Sequence, residues 1–240
     1  MPTAVAPSSH NDLVSVFGRQ VAYKWVVAAV YVSALFLDIL DTTIVNVAIP
    51  TLGRELNTDN AEWVVLGYTL SLAVWIPTSG WLGDRFGTKR LYMTALLLFT
   101  AGSVLCAIAS TIEALIAFRV IQGLGGGMLM PLGMTIMTKA AGPARMGRLM
   151  AILGVPMLLG PIFGPILGGW LCDSYGWSFI FFINVPLAII CAPIAFGMLK
   201  RYEQSPVRMP IDLIGLALLI LFVGSLQLMV DLGKEHAWFE

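Results

Sequence analysis

Long runs of apolar residues alternate along the chain with short segments that carry charged residues, glycine and proline. Seven such runs lie at about residues 25–49, 62–82, 91–110, 114–137, 149–171, 178–199 and 213–230. An α-helix rises about 1.5 Å per residue, so about 20 apolar residues cross the roughly 30 Å hydrocarbon core of a bilayer. The pattern therefore predicts an all-α integral membrane protein.

The connections between the runs divide the chain into four parts. We expect a cytoplasmic N-terminal tail at 1–23, a six-helix bundle at 24–199, a cytoplasmic linker at 200–212, and a seventh span with the start of an outer loop at 213–240. The tail lacks the short apolar core and the small-residue cleavage site of a removable signal peptide. We therefore expect the first run to stay in the membrane as an uncleaved anchor.

The composition supports a membrane protein and narrows its chemistry. Hydrophobic residues make up 58% of the chain and charged residues 12%, whereas soluble domains contain about 25% charged residues. The formal net charge is zero, so no nucleic-acid partner is expected. The three cysteines lie in or at the edge of separate apolar runs and the two histidines at opposite ends, so we expect no disulfide framework, metal site or cofactor.

The basic residues predict the orientation of the chain in the membrane. Of the 14 Lys and Arg residues, Arg119 lies inside a run, and only Arg54 and Lys234 fall on one side of the membrane; the rest fall on the other side. Cytoplasmic loops carry the excess of Lys and Arg in membrane proteins. This division predicts a multi-pass protein whose N-terminus is cytoplasmic.

Two carboxylates lie inside the first apolar run, where hydrocarbon should surround it. Asp38 and Asp41 are three positions apart, so they share one side of a helix, and Thr42 and Asn46 extend the polar stripe. A carboxylate near the middle of a bilayer costs a few kcal/mol and usually faces a partner or a wet cavity. The simpler alternative is that these residues only join helices by hydrogen bonds, which asparagine or threonine would do at lower cost.

Arg119, in the fourth run, is the cation that these carboxylates need. Counting residues from the outer ends of the two runs places Asp41 roughly 12 Å and Arg119 roughly 8 Å below the outer surface, with Asp38 deeper at roughly 17 Å. We therefore expect Asp41 to pair with Arg119, which leaves Asp38 to bind a proton or a cationic substrate. The depths leave the reverse assignment open.

Glycine recurs at every fourth position of the fifth run. Gly160, Gly164 and Gly168 form a stripe without side chains, which allows another helix to approach closely. The same run contains several prolines, which bend a helix. Helix packing alone explains this pattern, and so does the rigid, sealed interface that a transporter needs.

Five segments together resemble a known family. They are DTTIVNVAIP at residues 41–50, GWLGDRFGTKR at 80–90, RVIQGLGGG at 119–127, GVPMLLGPIFGPILGG at 154–169 and WSFIFFINVP at 177–186. In this order they resemble the major facilitator superfamily, and most of all its drug:proton antiporter branch with fourteen spans, the EmrB/QacA type. The resemblance covers residues 30–240 and implies the N-terminal six-helix bundle of the major facilitator fold plus one further helix. Thr88 stands where this family usually has a basic residue.

The resemblance implies proton-coupled multidrug efflux by alternating access, in the bacterial inner membrane. Its expected partners are amphipathic small-molecule drugs, protons, the lipid bilayer and a periplasmic adaptor protein. The sites that we expect, from the residues and the resemblance together, are proton coupling by Asp38, Asp41 and Arg119; a substrate cavity with Asn46, Gln122, Met128 and Met130; a gating loop with Gly80, Asp84, Arg85, Gly87 and Arg90; and antiporter helix packing by Gly154, Pro156, Gly160, Pro161, Gly164, Gly168 and Gly169.

Alternatives remain for the motifs and for the function. Methionine adapts to irregular apolar ligands, but Met128 and Met130 could equally face lipid or the core. The same scaffold could carry a metabolite, although the glycine and proline motif of the fifth run argues against this. An intramembrane hydrolase needs a base near a serine, and no histidine lies in any run. We expect the chain to be the N-terminal part of a larger transporter; if its 240 residues are the whole product, a non-transporting assembly subunit or sensor is the alternative.

Overall fold

The computed structural model describes residues 13–16, 19–141, 146–199 and 212–235. Most of the predicted linker at 200–212 and parts of the predicted tail lie outside these residues. The described part of the tail contains a short antiparallel hairpin of β1 (Leu13–Val16) and β2 (Arg19–Ala22), in which Val16 pairs with Arg19. The pattern of apolar residues does not predict this hairpin.

Eight helices follow the hairpin in the described residues. They are α1 (Tyr23–Glu55), α2 (Trp63–Phe86), α3 (Thr88–Ala107), α4 (Ile112–Ala141), α5 (Met146–Tyr175), α6 (Phe179–Phe182), α7 (Asn184–Leu199) and α8 (Leu213–Glu235). All of these helices except α6 are long and rich in apolar side chains. A helix suits such a sequence because it satisfies its own backbone hydrogen bonds within hydrocarbon.

Six stretches of the described chain are long and apolar enough to cross a membrane. They are Trp25–Glu55, Trp63–Phe86, Thr88–Ala107, Ile112–Lys139, Leu153–Tyr175 and Phe179–Phe196. The apolar stretch Ile214–Val230 in α8 is shorter than these six. The seventh span therefore stays a prediction, whereas the first six spans have the helices that the apolar runs predict.

The helical hydrogen bonds of the sixth run are interrupted at Ile183, where α6 ends and before α7 begins. Ile183 keeps helical backbone angles, with φ −61° and ψ −25°, so this break concerns the hydrogen bonds and the run still spans Phe179–Phe196 as one stretch. Pro186 has no backbone N–H to donate to the carbonyl four residues earlier, and its ring disfavours helical geometry at the preceding residue. The break therefore follows from the local sequence of residues 183–186.

Helix α4 lies at the centre of the bundle. It packs against α2 and α3 over most of its length and also contacts α1, while α1 packs against α5 and α7. Glycines in α4 make this closeness possible, because a Cβ at Gly125 would lie 2.5 Å from the Ala95 carbonyl oxygen and one at Gly123 would lie 2.8 Å from the Tyr68 carbonyl oxygen. The buried apolar residues form two clusters, and a polar network lies within the bundle beside the second cluster.

Candidate functional site

Asp41, near the middle of α1, is fully buried and accepts hydrogen bonds from three side chains. Arg119 of α4 donates from Nη1 to Asp41 Oδ2 at 2.5 Å, with neither side chain exposed. This is the ion pair that counting depths along the first and fourth runs predicts. A buried carboxylate requires such partners because an unpaired charge is very costly in an apolar interior.

Two amides complete the surroundings of Asp41. Gln122 donates from Nε2 to Asp41 Oδ1 at 2.9 Å, and Asn184 donates from Nδ2 to the same oxygen at 2.7 Å. Both amides also donate to Ser103 Oγ, at 3.3 Å and 3.0 Å respectively. The Ser103 hydroxyl donates in turn to the Phe181 carbonyl at 3.0 Å. The network therefore joins α1, α3, α4, α6 and α7.

The Arg119 side chain is held by more than its carboxylate. Nε donates to the Val64 carbonyl oxygen at 3.2 Å, and Nη1 also donates to Gln122 Oε1 at 2.9 Å. The guanidinium carbon lies 4.0 Å from the centre of the Tyr68 ring, a distance at which a cation is attracted to the ring face. Nη2 has no hydrogen-bond partner among the described residues.

Tyr68 connects the ion pair to the second carboxylate. Its ring lies against Arg119, while its hydroxyl donates a short hydrogen bond to Asp38 Oδ1. Gly126 of α4 allows this contact, because a Cβ there would lie 2.6 Å from the Tyr68 hydroxyl and 3.2 Å from Asp38 Oδ1. Asp38 and Asp41 thus have different partners although they lie on one helix: Asp41 faces a cation and Asp38 faces a neutral donor.

The expected substrate-cavity residues do not share one surface. Gln122 is fully buried inside the polar network, and Met128 is 2% exposed within the apolar core. Neither has the exposed side chain that a cavity wall needs. Asn46 is exposed and donates to the Thr42 carbonyl oxygen at 2.9 Å, and Met130 is also exposed. The interpretation of Gln122 and Met128 as cavity-lining residues is corrected: the packing of α4 against α2 and α3 turns both inward.

The predicted gating loop joins α2 to α3. Gly87 has a φ of +89°, which only glycine adopts without strain, so it makes the sharp turn between the two helices. Gly80 lies within α2 and makes no such turn, and a Cβ added there would meet no atom of the described residues within 4 Å. The Arg85 guanidinium lies 5.1 Å from the Trp81 ring centre, and Arg90 is exposed.

Asp84 of the predicted gating loop has an exposed side chain. It accepts no hydrogen bond from the residues that the structure describes. The turn at Gly87 leaves this carboxylate on the surface of the α2 end.

The glycine stripe of α5 packs against α1, as its spacing predicts. Gly160 lies against Ile39, Gly164 against Thr43 and Gly168 against Ile44, and any Cβ added at the first two would overlap the α1 side chain. Gly154 and Gly169 face open space, Pro156 is buried and Pro161 is exposed. The expectation of close packing is therefore wrong for Gly154 and Gly169, since the period of four excludes both from the stripe.

Three residues of the network were not identified by sequence reasoning. Tyr68, Ser103 and Asn184 are all fully buried. Each is a polar residue within an apolar run, and Asn184 also precedes Pro186 in the segment at 177–186. For Asn184, its position in an apolar run just before Pro186 was a signal that could have been used. Nothing in the sequence shows that Ser103 lies in the network or that Tyr68 faces Asp38.

The described chain is a bundle of membrane-length helices around a buried polar network, and comparison with known proteins identifies its family. The sequence profile of the Major Facilitator Superfamily matches residues 31–230. The chain therefore belongs to the major facilitator superfamily, a family of multi-pass membrane transporters.

Curated relatives are export and resistance proteins. The chain is 44% identical over 208 residues to the multidrug export protein EmrB of Haemophilus influenzae, a match that covers 86% of this chain and 41% of that protein. It is 47% identical over 194 residues to the multidrug resistance protein B homolog of Mycobacterium tuberculosis, covering 80% and 36% respectively. The chain thus spans less than half the length of these relatives.

The fold is also found among solved structures. A peptide transporter POT crystallised with sulfate superposes with a TM-score of 0.68 at 19% sequence identity, covering 96% of this chain and 50% of that one. At this identity the likeness concerns the fold alone. It shows that the described helices adopt the arrangement of one half of such a transporter.

Proposed function

We propose that this chain is the N-terminal part of a proton-coupled multidrug exporter that works by alternating access. The observation that carries the proposal is the buried Asp41–Arg119 pair, joined through the Tyr68 ring to the Asp38 carboxylate. A purely structural helix contact does not need two carboxylates and a guanidinium at membrane depth, because neutral polar side chains achieve this at lower cost.

Asp38, Asp41 and Arg119 are the proposed proton-coupling residues. A coupling carboxylate must exchange a proton as its surroundings change, and it does so when a nearby cation or hydrogen-bond donor moves toward or away from it. Arg119 and Gln122 lie on α4 while Asp41 lies on α1. A shift of α4 relative to α1 would therefore change the proton affinity of Asp41, and a shift of Tyr68 on α2 would change that of Asp38.

The proposed substrates are amphipathic drugs, because the curated relatives at 44% and 47% identity carry the names multidrug export protein and multidrug resistance protein. In transporters with two related halves the substrate site lies between the halves. Asn46 and Met130 keep exposed side chains and are the remaining candidates for this chain's contribution to a cavity. The proposed location is the bacterial inner membrane with a cytoplasmic N-terminus, and a periplasmic adaptor protein is a proposed partner.

The gating role of residues 80–90 also stays a proposal. The exposed side chains of Asp84, Arg85 and Arg90 support it, since they are available to an element that closes over the α2–α3 turn. Gly87 gives that turn its shape.

The proposal is tested with the natural gene product that contains this chain. Ethidium is added to the purified protein in weakly buffered detergent solution, and the protons released are measured for wild type, Asp38→Asn, Asp41→Asn and the double variant. Loss of release in a folded double variant supports coupling at these residues. Release equal to wild type in that variant would place the coupling group elsewhere, and energised vesicles that fail to export ethidium would contradict drug export itself.

A further inference from the structure

Asn184 begins α7 immediately after the break in the sixth span, and its side chain is fully buried. Its Nδ2 donates to Asp41 Oδ1 and to Ser103 Oγ, whereas its Oδ1 has no partner among the described residues. A buried amide oxygen without a donor costs free energy, and native proteins rarely tolerate one without a reason. The reason lies in what happens when Asp41 takes up a proton.

The added proton belongs on Oδ1 of Asp41. Oδ2 accepts the Arg119 guanidinium, and a positive charge opposes a proton on the oxygen that it contacts. Once protonated, Oδ1 becomes a donor and faces two N–H donors, from Gln122 and Asn184. Two donors cannot both keep this contact, so one amide must present its oxygen instead.

Of the two amide oxygens, only that of Asn184 is available to accept a hydrogen bond from the protonated Asp41 carboxyl. Gln122 Oε1 already accepts Arg119 Nη1 at 2.9 Å and lies 3.6 Å from the Cys106 thiol. Asn184 Oδ1 accepts no hydrogen bond from any residue that the structure describes. The terminal torsion of asparagine has a broad, roughly two-fold profile, so half a turn exchanges the amide oxygen and nitrogen without moving the backbone.

We propose that Asn184 is a positioning residue whose side-chain amide turns over when Asp41 is protonated, and that this turn transmits the protonation to the break between α6 and α7. The inference rests on the proposed proton-coupling function. Rotation of the amide removes the hydrogen bond from Asn184 Nδ2 to Ser103 Oγ. The Ser103 hydroxyl donates to the Phe181 carbonyl oxygen, two residues before the break. The hydrogen bonds at the break therefore depend on the charge of Asp41.

Other groups around Asp41 also respond to pH or carry charge. Asp38 lies one turn away on α1, Tyr68 comes from α2, Cys106 from α3 and Arg119 from α4. Helices α6 and α7 bring Phe181 and Asn184, which do not titrate. The test must therefore follow Asp41 itself rather than the overall pH dependence of activity.

Asn184→Thr and Asn184→Val form a matched pair of the same shape. A threonine hydroxyl can donate to the Asp41 anion or accept from the neutral acid, whereas valine does neither. The protonated carboxyl of Asp41 is followed by the infrared carboxyl band that Asp41→Asn removes, recorded against pH on the purified natural gene product. We expect Asn184→Val to move this band to higher frequency, since the protonated carboxyl loses the acceptor to which it donates, and Asn184→Thr to keep the band at the position of wild type.

Hydrogen exchange at the backbone amides of residues 181–185 supplies a second readout, which leaves Asn184 unchanged. In wild type, exchange there should change across the pH range in which the Asp41 band appears, and Ser103→Ala should abolish this change while leaving the band. Three results would each overturn the proposal: the same band frequency in the valine and threonine variants, exchange at the break that does not change when Asp41 is protonated, or the absence of any Asp41 band. These measurements use no drug, so a failure of ethidium-induced proton release would contradict the proposed function without deciding this inference.

Discussion

The Asp41 carboxylate and the Arg119 guanidinium form an ion pair at 2.5 Å in which neither side chain is exposed. Their helices, α1 and α4, also pack through apolar side chains, so the pair lies where water cannot screen it. Screening and side-chain entropy make exposed pairs worth little, but a buried pair is costly to break because one charge is then left alone.

Removing one partner of this pair should destabilise the protein more than removing both. Asp41→Asn or Arg119→Gln alone leaves an uncompensated buried charge, a change that costs about 3–5 kcal/mol in known buried pairs. The double variant should lose clearly less than the sum of the single losses. Thermal unfolding of the natural gene product in one detergent measures all three; additive losses would mean that the contact contributes no coupling energy.

Adding one methyl group to the α5 stripe should weaken the contact between α5 and α1. A Cβ at Gly164 would overlap the Thr43 side chain, whereas one at Gly169 would meet no atom of the described residues within 4 Å. Overpacking of this kind costs about 1–3 kcal/mol. Gly164→Ala should therefore lower the thermal midpoint, while its matched control Gly169→Ala should not. If both variants melt alike, the stripe is not a tight contact.

Cysteine labelling should report the orientation of the bundle. Asp59 lies between α1 and α2 and Ser174 lies near the end of α5; both side chains are exposed, as is Gly147 at the other end of α5. On a background without native cysteines, a membrane-impermeant thiol reagent added to intact cells should label Asp59→Cys and Ser174→Cys but not Gly147→Cys. The distribution of basic residues predicts this result. The opposite labelling pattern would invert the proposed topology.

The sequence predicted the elements of the bundle better than the way they face each other. Apolar length alone locates the first six spans, and the depths of Asp41 and Arg119 predict their pairing, because both arguments use only distance along a helix axis. The side of a helix that a residue occupies depends on packing. Gln122 was therefore expected in a cavity, whereas the close approach of α3 at Gly102 turns it into the network, where a Cβ on Gly102 would lie 2.6 Å from its Cα.

The network around the carboxylates shows the same limit. Asp38 and Asp41 lie on one side of α1, and depth along the helix predicts only that Asp41 pairs with Arg119. Their other partners are Tyr68 for Asp38 and Gln122 and Asn184 for Asp41, which lie 30 to 143 positions away along the chain. No local pattern reports such contacts. The break at Ile183 could have been predicted, since Pro186 supplies a local cause.

The hydroxyl of Tyr68 should tune proton coupling without supporting the fold. Tyr68→Phe removes the donor to Asp38 but keeps the ring that lies 4.0 Å from the Arg119 guanidinium carbon. A hydrogen bond to a carboxylate changes its proton affinity. The pH midpoint of ethidium-induced proton release should therefore differ from that of wild type, and the thermal midpoint should fall less than in Tyr68→Leu, which also removes the ring.

Tyr92→Phe is the matched control for this prediction, because the Tyr92 hydroxyl is also buried but has no partner among the described residues. Removing an unsatisfied hydroxyl should be neutral or slightly stabilising, and it should leave the pH midpoint where it is. Tyr68→Leu is the complementary variant, because it removes the ring as well as the hydroxyl. It should destabilise the protein, since Arg119 then loses its cation–π contact. If Tyr68→Phe and Tyr92→Phe give the same pH midpoint as wild type, the Tyr68–Asp38 hydrogen bond has no part in coupling, and the ring contact with Arg119 is the whole contribution of Tyr68.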